Sequence, residues 1–168
     1  MVVTRRWYRV QIWTETYSLQ GTYAPVGRLL DALNRQENVS FVMSDVSFAP
    51  LAPDTPLRTI NVPALTLNKN EILFFTFEEG AAVEELMLRK RVERAIVYLP
   101  HFVVRGEFHL GSEDRFHDVL DAWRGQFQPI TSVTLYPLGK VPGLTQKVHD
   151  LIILNTGAVQ AYHPEGAS

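Results

Sequence analysis

The sequence predicts a mainly β protein with short helices, an α+β chain of two tandem β-β-α-β-β-β units. Three observations predict it. The chain matches itself when slid by 85 positions, so that Tyr17, Leu19, Gly21 and Tyr23 fall on Phe102, Val104, Gly106 and Phe108. Apolar residues alternate with polar ones along much of each copy, which is the period of a half-buried strand. Each copy also holds one short stretch whose apolar residues follow helical spacing.

Two extra residues in the second copy carry the match onward without another gap. Arg28, Asp31 and Leu33 then meet Arg115, Asp118 and Leu120, and Val46, Pro50, Leu51 and Leu57 meet Val133, Pro137, Leu138 and Leu144. Leu67, Asn68 and Glu78 meet Leu154, Asn155 and Glu165. A register kept over such a length marks an internal duplication. The expected organisation is a first repeat over 1–80, a connecting helical segment over 81–94 and a second repeat over 95–168. Duplication turns a two-fold dimer into one chain, so the copies are expected to pack as a pseudo-dimer through the same face of each. A half of this size is marginal unless it buries such a face.

Each element is justified twice, once per copy. Tyr8, Val10 and Ile12 alternate, and alternation resumes in a new phase at Tyr17 after Thr14-Glu15-Thr16, which predicts two strands around a turn. In the second copy Ala95 to Leu99 is apolar and β-branched, and Pro100 stands at the turn, where no ladder donor is needed. Leu29, Leu30 and Leu33, and Phe116, Val119, Leu120 and Trp123, follow helical spacing over 28–34 and 115–123, with Ser112 as a candidate N-cap. Strands follow at Phe41 to Phe48 and Ile130 to Tyr136, then at Thr59 to Leu67 and Lys147 to Leu154. Asn68-Lys69-Asn70 and Asn155-Thr156-Gly157 supply residues that accept positive φ, as a tight hairpin requires, before closing strands at Ile72 to Phe77 and Val159 to His163. Between the copies, Val83, Leu86, Met87 and Val92 lie near one face of the helical connector. Apolar identity at matched positions predicts matched core sites at Leu33, Leu120, Leu67, Leu154, Val46 and Val133.

The stretches Leu19-Gln20-Gly21-Thr22-Tyr23, Asp31-Ala32-Leu33-Asn34 and Leu67-Asn68-Lys69-Asn70-Glu71-Ile72 carry a resemblance. Five strands, a glycine in the second and a closing hairpin resemble the small barrel of the Sm-like (SH3-like) family. The same stretches, in both copies, resemble an uncharacterised bacterial small-barrel domain family with the core Gly, Arg-x-x-Asp-x-Leu-Asn and an Asn-containing hairpin. The Sm-like resemblance implies a barrel. It departs at the RNA-contacting hairpin, which in that family carries Arg-Gly where this chain has Asn68-Lys69 and Asn155-Thr156.

Composition narrows the function classes. Apolar residues make up 46% and charged residues 20% of 168, enough for a core in a globular protein. A net charge of −2 gives no global field for nucleic acid or an anionic membrane. With no cysteine there is no disulfide, thiolate metal site or thiol nucleophile, which suits a cytoplasmic protein. Arg5, Arg6 and Arg9 interrupt the apolar start, and no segment is long and apolar enough to span a membrane.

Three constellations stand out. Arg5, Arg6 and Arg9 match Lys90, Arg91 and Arg94, and Trp7 lies among the first set, so each copy opens on a basic cluster fit for a partner or a nucleic acid strand. Arg28/Asp31 and Arg115/Asp118 are neighbours three apart on a helix, expected to pair and orient it. Asn68 and Asn155 are expected to hold the turns. The histidines, His101, His109, His117, His149 and His163, all fall in the second copy without a ligand spacing. No catalytic motif, metal site or cofactor is expected. The expectation is a non-enzymatic binding or assembly module acting on protein, by self-association or in a larger assembly. The alternative is an Sm-like single-stranded nucleic-acid-binding protein.

Overall fold

A computed structural model describes residues 6–52, 54–78, 86–113, 115–123 and 125–166. The first half forms β1 (Tyr8–Trp13), β2 (Tyr17–Tyr23), α1 (Leu29–Leu33), β3 (Ser40–Pro50), β4 (Ile60–Asn68) and β5 (Phe74–Phe77). The second forms β6 (Arg91–Leu99), β7 (Phe102–Leu110), α2 (Val119–Ala122), β8 (Phe127–Pro137), β9 (Val148–Asn155) and β10 (Ala161–Pro164). All ten strands belong to one antiparallel sheet in the order β10-β6-β7-β8-β9-β5-β1-β2-β3-β4. The order β5-β1-β2-β3-β4 of the first half thus recurs as β10-β6-β7-β8-β9 in the second.

Matched irregularities recur with the order. Gly21 and Gly106 each sit where the ladder to the next strand shifts register, at Gln20/Thr22 and at Arg105/Glu107. The extra residue in the facing strand is Asp45 or Ser132, each at φ 51. Such a bulge drives the facing strand towards β2 or β7. A side chain at Gly106 would meet Ile130 at 2.5 Å, and one at Gly21 would meet the Ser44 carbonyl at 3.0 Å. Close approach, and not backbone freedom, explains both glycines.

The sheet does not close, which corrects the expected barrels: β4 and β10 are its two edges. Nor do β4 and β5 form a hairpin. β4 pairs only with β3, and a 3₁₀ turn at Lys69–Glu71 carries the chain across to β5, which pairs with β1. No residue of that turn, nor of Thr156–Ala158 in the second half, has positive φ. The asparagine before each turn bends it instead: Asn68 Oδ1 accepts from Asn70 N at 2.9 Å, and Asn155 Oδ1 from Gly157 N at 3.0 Å.

The halves meet through unlike strands, which corrects the expected same-face packing. β5 pairs with β9 in the register Phe74↔Leu154, Phe75↔Ile153, Thr76↔Ile152. Both strands bury both faces. Phe74, Ile152 and Leu154 enter the second half's core, while Phe75, Leu151 and Ile153 enter the first half's. Trp13 and Phe74 lie edge-on to Phe102, at centroid distances of 5.5 and 5.0 Å. Polar bonds reinforce the seam. Asn155 N donates to Leu73 O at 3.0 Å and Asn155 Nδ2 to Ile72 O at 2.7 Å. From the end of α1, Asn34 Oδ1 accepts from Phe127 N at 2.7 Å and Asn34 Nδ2 donates to Phe127 O at 3.0 Å. Gly125, at φ 103, leaves room for that amide.

Other expectations shift in detail. Residues 81–85 of the helical connector lie outside the described residues, and 91–94 belong to β6, because Arg91 to Arg94 already pair with β7. The second helix splits into a 3₁₀ turn at Phe116–Asp118 and the short α2; Arg115, not Ser112, holds the first N-cap position, and no side chain caps either piece. Val119 therefore takes the core site and Leu120 is 40% exposed, against expectation. Leu33, Val46, Val133 and Leu154 are buried, but Leu67, on an edge strand, is only half-buried.

Candidate functional site

The two sheet edges, β4 and β10, each leave one side without a neighbouring strand, and the ladders say which groups face outward. Lys69 N bonds Val39 O, so along β4 the alternate amides of Thr66 and Asn68 turn away from β3. Glu165 N bonds Arg94 O, so the Tyr162 amide of β10 turns away from β6. Thr66, Asn68 and Ala161 are exposed, whereas their counterparts Ile153, Asn155 and Phe74 at the seam are buried. Asn68 spends its Oδ1 on the turn, as Asn155 does, but its Nδ2 has no acceptor among the described residues. Pro164 has the parity of Tyr162, where a missing donor breaks no ladder to β6, and Pro63 lies opposite the bulge residue Asp45, which has no ladder partner on β4.

The basic clusters are partly spent on internal pairs. Arg5 lies outside the described residues. Arg9 Nε bonds Glu78 Oε2 at 3.1 Å, and Arg91 donates to Gly111 O at 3.1 Å and lies 3.5 Å from Glu93. Arg94 Nε lies 3.6 Å from Glu107 Oε1. Trp7 is 71% exposed and Lys90 is exposed. The clusters also sit on different strands, β1 and β6, separated by four others in the sheet order.

Arg94 and Glu107 line a shallow cleft of about 160 Å³ with Arg105, Gly106, Ser132, Thr134 and Glu165. Arg105 pairs with Glu165, and that contact holds the Glu165 carboxyl below the usual carboxylate range. Two arginines face two glutamates there, so the cleft is neutralised from within and offers no net charge to an ion.

The Arg–Asp pairs do not form, which corrects that expectation. Arg28 and Asp31 are both exposed and no ion pair joins them. Asp118 lies 3.7 Å from His117 Nε2, and its link to Arg115 is between backbones. On so short a helix the two side chains diverge into solvent. Lys69 does the orienting instead. Only 4% exposed, it donates from Nζ to Leu33 O at 2.9 Å and Arg35 O at 3.0 Å, capping α1, and burial draws its ammonium below the ordinary lysine value. Its helix-capping role had no sequence signal beyond an isolated lysine in a turn.

The histidines are dispersed. His109 bonds Arg89 O and Thr131 Oγ1, His149 bonds Gln146 O, and His163 bonds the Tyr98 hydroxyl. Among the described residues no three metal-ligating side chains converge. No helix there is long and apolar enough to cross a membrane. Comparison with protein-family models, with curated proteins and with solved structures finds no match.

Proposed function

We propose that the chain is a non-enzymatic assembly module made of two copies of one five-stranded unit, which binds protein through its open sheet edges. The observation that carries this reading is the pair of edges, β4 and β10, with the amides of Thr66 and Tyr162 turned outward. An edge of this kind accepts an extended segment as one more strand, gaining main-chain bonds whatever the sequence. Recurrence of strand order, of the bulges at Asp45 and Ser132, and of the turns at Asn68 and Asn155 supports descent of both halves from one unit. Cytoplasmic residence fits the cysteine-free composition.

A labelled, lysine-tagged peptide of the β5 sequence, Ile72 to Glu78, tests the reading by fluorescence anisotropy. It is expected to bind, with little dependence on salt, and to lose binding to the Thr66→Pro variant. A single-stranded oligonucleotide is expected not to bind. Steep, salt-sensitive oligonucleotide binding without peptide binding would favour the nucleic-acid alternative, since phosphate contacts release counterions.

A further inference from the structure

We infer that the outer face of the second half binds a neutral, extended sugar chain, through the charge-balanced cleft and two tyrosines beside it. Strand alternation turns Tyr98 of β6, Val103 and Arg105 of β7, and Thr134 and Tyr136 of β8 away from the second core, because Val97, Leu99, Val104 and Leu135 enter it. Cross-strand pairing puts Tyr98, Val103 and Tyr136 in one row. Both tyrosines are exposed, and they stand two strands apart, about 10 Å.

Each ring is tied through its hydroxyl to a side chain of the next row. Tyr98 bonds His163 Nε2 at 2.9 Å, and Tyr136 bonds the Arg105 guanidinium. A tyrosine held in this way leans along the sheet and offers a ring face to solvent in a fixed pose. Rings already fixed lose little freedom when a ligand stacks on them.

The cleft adjoins this row, since Arg105 and Thr134 line it. Its lining balances the guanidinium groups of Arg94 and Arg105 with the carboxylates of Glu107 and Glu165, beside the hydroxyls of Ser132 and Thr134. Such a lining gives an ion no preference, but it suits vicinal hydroxyls, each of which both donates and accepts. Glu165 Oε1 bonds Arg105, whereas Oε2 is buried without a hydrogen-bond partner among the described residues, an acceptor for a ligand hydroxyl. A pyranose supplies both halves of the match, an apolar CH face for the rings and hydroxyls for the cleft. A flat row across three strands takes a flat, extended chain, and rings this far apart meet every second sugar of it.

The first copy serves as an internal control. It keeps Arg9 and Glu78, but Gln20, Thr22 and Ala49 stand where the second copy has Arg105, Glu107 and Tyr136. Trp13, the counterpart of Tyr98, is buried in the second core. A loop of the second half also lies over that face, where Gln11 Nε2 donates to Gly143 O at 3.2 Å. The shared fold therefore does not require the tyrosines or the second Arg–Glu set.

Affinity gel electrophoresis in hydroxyethyl cellulose and calorimetry with cellohexaose test this on the full chain. The wild type is expected to be retarded in the gel and to give heat on titration. Tyr98→Ala and Tyr136→Ala are each expected to weaken binding roughly 10-fold, the scale of one lost aromatic contact, at unchanged circular dichroism and melting temperature. Tyr136→Phe keeps the ring and is expected to keep most of the binding. Thr66→Pro is expected to bind cellohexaose as the wild type does, which separates this site from the sheet edges. Absence of retardation and of heat at millimolar cellohexaose overturns the inference. So does binding that both alanine variants retain, or that only a charged polymer such as alginate elicits. Dimers lost in Tyr98→Ala, without sugar binding, would assign the face to a second copy and overturn it as well.

Discussion

Ser132 and Asp45 hold the left-handed conformation at matched bulges, a conformation that five glycines also adopt among the described residues. A non-glycine residue there costs roughly 1–2 kcal/mol through its Cβ, although asparagine and aspartate tolerate it better than serine. Ser132 is exposed and its side chain makes no hydrogen bond among the described residues that glycine would lose. Ser132→Gly is therefore expected to stabilise the chain by about 0.5–1 kcal/mol once the entropy of an added glycine is counted. A lower urea midpoint than the wild type would refute the strain argument. Gly106, opposite the same bulge, shows the converse: it was visible in the sequence as a matched glycine, but the cause, Ile130 pressed against it by the bulge, was not.

At the scale of elements, the short helices depend on what holds their ends. α1 has five residues and no side-chain N-cap, too short to persist by propensity. Its hold comes from Leu29 and Leu33 in the core and from Lys69 Nζ on the carbonyls of Leu33 and Arg35. Lys69→Met keeps the aliphatic stem and removes the donor, leaving two carbonyls without that partner. The expected loss is about 1–3 kcal/mol, the range for hydrogen bonds to charged groups. An unchanged unfolding midpoint would show that the ammonium contributes nothing. The Arg–Asp spacing suggested a different clamp for the same helix. Spacing three apart places two side chains near each other, yet where both face water the pair gains little and need not form.

Across the whole molecule, the two halves share their cores and are expected to unfold together. Trp13, Leu73 and Phe74 complete the second core, and Phe127, Leu151 and Ile153 complete the first. Calorimetry is expected to give one transition, and Phe74→Ala, which empties a fully buried site at the seam, to lower stability by about 3–5 kcal/mol without splitting it. Two separate transitions would mean that the seam is not structural. Much of this arrangement was legible in the chain itself. Alternation, turn residues and the matched register located most of the strands and the bends between them, because these depend on neighbours in sequence, but not the sheet order, in which the last two strands of each half do not pair. The unbroken apolar runs Ile72 to Phe75 and Leu151 to Leu154, beside the weaker Ala161 to Pro164 and Ala64 to Leu67, also carried a sign that only one pair of strands is buried on both faces. Which strands meet was decided by tertiary structure alone. A five-stranded half leaves two edges open, and alternation is the same whether an edge finds its own partner, its copy or water. Burying Phe74 and Phe75 on opposite faces of one strand requires a core on each side, and only the head-to-tail seam supplies both.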